Sequence, residues 1–298
     1  MNNKCCRFKG KMVTLTIAFL LSLLLCKGAL AGNWERNPDL TIGWTAWSDA
    51  EVISKMAVII LSRAMNYDVE LTLADISVQY RGVAEGDLDA MLMSWQPRTH
   101  AEYLERYKDQ LVDLGPLYEN TTLGLVVPDY MAESGVNSIA DLAKPAVKNR
   151  FQGKIQGIGA TAGLMKLSRQ ALDAYQLDYT LVTSSGPAMA KRLGEALQNQ
   201  SPIVATGWRP HWIFAEYPIQ YLQDPKGIFE SRESVHAIVR KGFAAEYPEV
   251  AGFLRRMHLE LDELEKLMVK ARKTSHTEAI LEWIGNNRDR VKFWINGQ

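Results

Sequence analysis

From Leu40 onward, short apolar runs alternate with segments whose apolar positions recur every three or four residues. Residues 40–43 predict a strand, and 51–65 an amphipathic helix opened by Ser48 or Asp49 as N-cap. Residues 69–73 predict a second strand, 78–85 a short helix ending near Gly86, and 88–94 a buried third strand. Pro97 then falls near the start of a helix running to about Tyr107. This β-α-β-α-β order argues for a largely parallel sheet covered on both faces.

A longer apolar strand, 123–127, ends at Pro128, and the alternation restarts beyond it. Ser138 caps a short helix; strands at 154–158, 179–182 and 203–206 alternate with helices at 163–175 and 188–198. A further strand, 235–239, precedes a nearly continuous helical tail over 243–294. The order predicts an α/β protein of two Rossmann-like lobes, the second inserted into the first. Residues 32–124 with 238–298 form lobe I, and 125–237 form lobe II. Two chain crossings make a hinge, and a hinge makes a cleft.

The first 31 residues break this pattern. Lys4, Arg7, Lys9 and Lys11 precede an apolar run over 12–25, and Ala29-Leu30-Ala31 stands before Gly32. That is the order of a cleaved secretory signal, with an apolar run shorter than the roughly 20 residues a membrane span needs. Cys26 raises a lipid anchor, but Leu24-Leu25 before it does not supply the small residue such signals place there. Cleavage after Ala31 and a soluble, periplasmic product are therefore expected. Cys5, Cys6 and Cys26 all lie in the leader, so the remaining chain has no disulfide, thiol nucleophile or thiolate metal site. A chain of this length buries a core without disulfides. Without the leader, 29 basic side chains face 34 acidic ones, and no basic stripe marks a nucleic-acid surface.

The candidate chemistry lies at strand ends, where open α/β sheets place ligands. Residues 91–100 run from a buried strand into Trp95-Gln96-Pro97 and on to His100; residues 203–212 echo them with Trp208-Arg209-Pro210-His211-Trp212. A third cluster, Trp44-Thr45-Ala46-Trp47, follows the first strand. Any one Trp fills a core readily. Three strand ends offering indoles instead suggest an aromatic box for a quaternary ammonium group, which hydrogen bonds cannot satisfy. Each desolvated face contributes ~2 kcal/mol toward the roughly 8 kcal/mol of micromolar affinity. The Gly/Ala-rich turn 157–165 lacks the Gly-Lys-Ser/Thr of a phosphate loop. It reads either as a helix N-terminus able to hold a carboxylate or as tight strand-to-helix packing. His100 and His211 read as ligand groups or as satisfied core histidines. The five histidines (His100, His211, His236, His258 and His276) show no metal-ligand spacing on a single helix. There is no nucleophile elbow, His-Glu-x-x-His or dinucleotide fingerprint, and no cofactor is expected.

Four segments carry a resemblance: Gly43-Trp44-Thr45-Ala46-Trp47, Gly86-Asp87-Leu88-Asp89-Ala90 running into Trp95-Gln96-Pro97, the turn 157–165, and Gly207-Trp208-Arg209-Pro210-His211-Trp212. Over nearly its whole length after the leader the chain resembles the glycine betaine/proline betaine substrate-binding proteins of ABC importers. The resemblance implies a two-lobe, hinged periplasmic-binding fold and delivery of ligand, by a monomer, to membrane permease subunits. It implies a box of Trp95, Trp208 and Trp47, with Trp44 as a substitute for Trp47. It also implies a carboxylate held by the backbone amides of Gly163 and Leu164 and by His100. Choline-binding relatives carry an Asp where this chain has Ala46, which favours a zwitterion. A binding protein for choline or carnitine, or a periplasmic enzyme acting on a quaternary amine, is the alternative.

Overall fold

The computed structural model describes residues 38–298 apart from Ser231; the leader, its cleavage site and the three cysteines lie outside the described residues. Strands β1 (Leu40–Trp44), β2 (Val69–Leu73) and β3 (Ala90–Gln96) are joined by helices α1 (Ser48–Ala64) and α2 (Ile76–Glu85). β1 pairs parallel with both β2 and β3, as crossover helices require. Helix α3 (Ala101–Arg106) leads into β4 (Leu111–Pro128), a strand of 18 residues.

Beyond β4 come α4 (Asp129–Glu133), a 3-10 turn at Ile139–Ala143 and α5 (Pro145–Arg150). Then β5 (Lys154–Gln156), α6 (Gly163–Ala174), β6 (Thr180–Val182), α7 (Gly186–Gln198) and β7 (Ala205–Arg209) repeat the alternation. Helix α8 (Ile213–Glu216) and strand β8 (Ile219–Tyr221) precede β9 (Glu233–Arg240). The tail is five helices: α9 (Phe243–Glu246), α10 (Pro248–Arg256), α11 (Leu261–Lys273), α12 (His276–Asn286) and α13 (Arg288–Asn296). Arg256 ties its two ends together, donating to the carbonyls of Trp294 and Ile295 at 2.8 Å each.

The strand order is β2-β1-β3-β9-β4-β7-β5-β6, with β8 on β4. β4 is shared by two halves. Its first part, from Leu111 to Thr121, pairs antiparallel with β9; from Thr122 to Val126 it pairs antiparallel with β7, and then with β8. Within each half the βαβ strands are parallel, β5 pairing so with both β6 and β7. The sheet is thus mixed rather than largely parallel, because β4 and β9 run against their neighbours. The sequence reading captured only the last part of β4, and the reason is local. Gly115-Pro116 and the polar run 119–122 interrupt its apolar pattern at points where the pairing register shifts. Gly115 and Asn120 adopt positive φ there, 105° and 61°, as expected of bulges that bend a strand.

Candidate functional site

The end of β1 is tied down before α1 begins. Thr45 Oγ1 donates to the Ala74 carbonyl at 2.9 Å, and Gln79 Nε2 donates to the Trp44 carbonyl at 2.6 Å. The chain turns at once, so Trp47 becomes the N-cap residue of α1, and the helix starts at Ser48, three residues ahead of the expected start. Its indole is buried. Trp44 lies elsewhere: it is half-buried, packs under Lys55 with Nζ 5.6 Å from its ring, and does not line the cavity that Trp47 lines.

At the end of β3 the five-residue spacing from Trp95 to His100 has a physical meaning. The His100 N–H donates to the Trp95 carbonyl at 3.1 Å, and the Trp95 N–H donates to His100 Nδ1 at 3.0 Å. This reciprocal clip closes the turn over the cis Gln96–Pro97 peptide, and α3 starts at Ala101 rather than near Pro97. Because Nδ1 accepts, the neutral imidazole carries its proton on Nε2. Burial lowers the His100 pKa to about 3, so the ring stays uncharged at neutral pH. His100 is 1% exposed, and its Nε2 is buried without a hydrogen-bond partner. Trp47 stacks beside the imidazole at 6.0 Å, while Tyr80 and Tyr103 meet it edge-on at 5.6 and 6.0 Å.

The β7 end supplies Trp208, also buried. Its Nε1 donates to Asp49 Oδ1 at 2.9 Å, and the Tyr118 hydroxyl donates to Asp49 Oδ2 at 2.6 Å. Neither Asp49 nor Tyr118 was legible as a site residue. Asp49 reads as a helix cap, and Tyr118 sits in the interrupted part of β4. His211 and Trp212 turn away from this cavity and border a second, larger one of about 580 Å³. Arg272 stacks on Trp212 at 3.4 Å, and His211 Nδ1 accepts from the Ile213 N–H at 3.1 Å. Burial, helped by the charge of Arg272, lowers the His211 pKa to about 3.

Gly163 and Leu164 are the first two residues of α6, and helix geometry leaves their N–H groups without an intrahelical acceptor. Gly163 packs against the Trp95–His100 turn so closely that a Cβ there would sit 2.3 Å from Thr99 Cγ2 and 2.4 Å from the Thr99 carbonyl oxygen. Trp47, Trp95, Thr99, His100, Leu123, Ile158, Ala162, Gly163, Leu164 and Trp208 thereby line one tight cavity of about 20 Å³. Three indoles offer faces that attract a cation. A neutral imidazole N–H and a helix N-terminus offer donors to an anion. Thr99, Leu123, Ile158 and Ala162 fall in stretches the sequence reading marked but were not put forward as site residues, because that reading ranks chemistry-bearing side chains above the residues that shape a pocket. Among the described residues no group of three or more His, Cys, Asp or Glu is placed to hold a metal ion. No described helix is long and apolar enough to cross a membrane.

Solved structures share this architecture. Lactococcal OpuAC, crystallised closed around glycine betaine, is 34% identical, covers 86% of this chain and 99% of its own, and superposes with a TM-score of 0.78. The glycine/betaine/L-proline-binding protein ProX from Borrelia burgdorferi is 31% identical over 86% of this chain and 96% of its own, with a TM-score of 0.80. The fold is that of the two-lobe periplasmic binding proteins. Residues 38–286 match the family model OpuAC, the substrate-binding domain of ABC-type glycine betaine transport systems, and the chain belongs to that family. The glycine betaine/carnitine transport binding protein GbuC of Listeria monocytogenes is 35% identical over 159 residues, 52% of this chain. That match spans 53% of GbuC, about half its length.

Proposed function

We propose that this chain captures glycine betaine, or a closely related quaternary ammonium carboxylate, and hands it to the membrane subunits of an ABC importer. The observation that carries this reading is the buried, unpartnered His100 Nε2–H in a cavity shared with three tryptophans. A donor buried without an acceptor is unfavourable by about 1–3 kcal/mol, and a ligand carboxylate removes that penalty. The Trp47, Trp95 and Trp208 faces take the trimethylammonium end, while His100 and the N–H groups of Gly163 and Leu164 take the carboxylate. Trp44 has no part in this assignment. Ligand is bound and released with no bond made or broken, by a protein that its leader exports to the periplasm. The ligands of lactococcal OpuAC and of GbuC support the same substrate class.

The two lobes follow the change of partner along β4. Lobe I comprises residues 32–124 with 238–298 and lobe II residues 125–237, and the exchange of β4's partner from β9 to β7 near Thr121–Thr122 supports this division. The cavity then lies between lobes, with Trp47, Trp95 and His100 on one and Trp208, Gly163 and Leu164 on the other. Contacts across the divide support a closed arrangement: Tyr103 Oη donates to the Thr161 carbonyl at 3.0 Å, and Lys166 pairs with Glu102 at 2.6 Å.

Replacing Trp95 and Trp208 together by Ala tests the reading. The expected loss of glycine betaine affinity is roughly a thousandfold, from ~2 kcal/mol per desolvated face. Unchanged affinity by isothermal titration would refute the box.

A further inference from the structure

Asp49 is fully buried and takes no part in the ligand contacts proposed above. Its carboxylate, at the start of α1, accepts from the Trp208 indole N–H at 2.9 Å and the Tyr118 hydroxyl at 2.6 Å. Both donors are neutral, one to each carboxylate oxygen, and a helix N-terminus favours negative charge. Among the described residues no Lys, Arg or His is paired with it in a salt bridge or hydrogen bond; its side-chain bonds are to Tyr118 and Trp208. A neutral acceptor would have sufficed to hold the indole. Here the acceptor is a carboxylate placed at the N–H edge of a ring whose surface borders the cavity.

We propose that Asp49 is a specificity-determining positioning residue: through its bond to Trp208 it makes the box favour a cation over an uncharged group of the same shape. This rests on the quaternary ammonium reading of the cavity. Two effects act in the same direction. An anionic acceptor draws the indole N–H dipole toward itself and leaves the ring's π-face richer in electron density, where the cation docks. The carboxylate also adds direct attraction for a cation on the far side of the ring, screened little because the region excludes water. Tyr118 and the helix end fix the carboxylate, so the indole is held in one orientation and the charge stays behind it. Burial raises the Asp49 pKa above the ordinary carboxylate value, and the bonds from Tyr118 and Trp208 oppose that rise.

The test compares glycine betaine with tert-butylacetate, which keeps the carboxylate and replaces the trimethylammonium by an uncharged tert-butyl group. Affinities are measured by calorimetry for the wild-type protein and for Asp49→Asn, which retains an acceptor for Trp208 while removing the charge. Asp49→Ser is the second neutral variant should the buried carboxamide not fold, and thermal melts establish folding of each. The expected result is a loss of about tenfold or more for glycine betaine with little change for tert-butylacetate. Equal losses for both ligands would reduce Asp49 to holding the indole in place, and no loss for either would remove it from recognition; both overturn the proposal. A wild-type protein that does not prefer glycine betaine to tert-butylacetate would instead overturn the reading of the cavity itself.

Discussion

His100 shows how one residue joins sequence spacing, geometry and chemistry. Its five-residue distance from Trp95 closes the reciprocal clip, the clip commits Nδ1 as acceptor, and that commitment leaves Nε2–H for the ligand. His100→Ala should weaken glycine betaine about tenfold or more, the scale of a hydrogen bond to a charged group, and weaken choline less because choline has no carboxylate. Equal losses in parallel titrations would contradict the role. The same burial has a consequence for stability. His100 and His211 each have a folded pKa of about 3, below the ordinary value of about 6.5. Between those values the unfolded chain binds about two more protons than the folded one, so stability falls as pH drops through this window and these residues add no slope above it. Melting temperatures between about pH 4 and about pH 8 should show that decline, and a His211→Asn variant should show a shallower one. Trp95 and Trp208 were legible because the strand-Trp-x-Pro pattern repeats along the chain, whereas Trp47 and His100 were singled out by the family resemblance. Asp49 was not, because its partners Tyr118 and Trp208 stand 69 and 159 residues away.

Helix starts do much of the positioning. The predicted start of α1 at residue 51 relied on a polar cap, whereas the helix begins at Ser48 behind Trp47 with no side-chain cap. Tertiary burial of Trp47 and Asp49 outweighs the capping preference there. The starts of α6 and α7 matter in another way. Gly163 meets Thr99, and Gly186 meets Ala46, where a Cβ would lie 2.8 Å from the Ala46 carbonyl oxygen. Backbone groups in such contacts cannot swing aside as a flexible side chain can. Gly186→Ala should therefore resist closure of the two lobes, lowering glycine betaine affinity while changing the melting temperature of the ligand-free protein little. Small-angle scattering supplies the decisive comparison: a variant that contracts on ligand addition as the wild type does would contradict this account of Gly186. From sequence the turn 157–165 was open to two readings, ligand-binding helix start or tight packing. The structure shows the close packing at Gly163.

For the molecule as a whole, the two rounds of strand-helix alternation and the helical tail were visible in apolar periodicity. The long shared strand was not, because β4 is bent where polar and glycine residues erase its pattern. Strand β8 lies outside the strand-helix rounds, so the alternation gave no reason to expect it. What periodicity cannot show is which strand ends face one another. Only the tertiary fold brings the ends of β1, β3 and β7 around one cavity and sends Trp44 and Trp212 elsewhere. The central claim is that this cavity takes a quaternary ammonium carboxylate. Titrating the intrinsic tryptophan fluorescence of the protein with glycine betaine and, separately, with choline tests it most directly, since three of the reporting indoles line the cavity. The account expects a saturable change at micromolar glycine betaine and little with choline. A saturable response to choline with none to glycine betaine would contradict it.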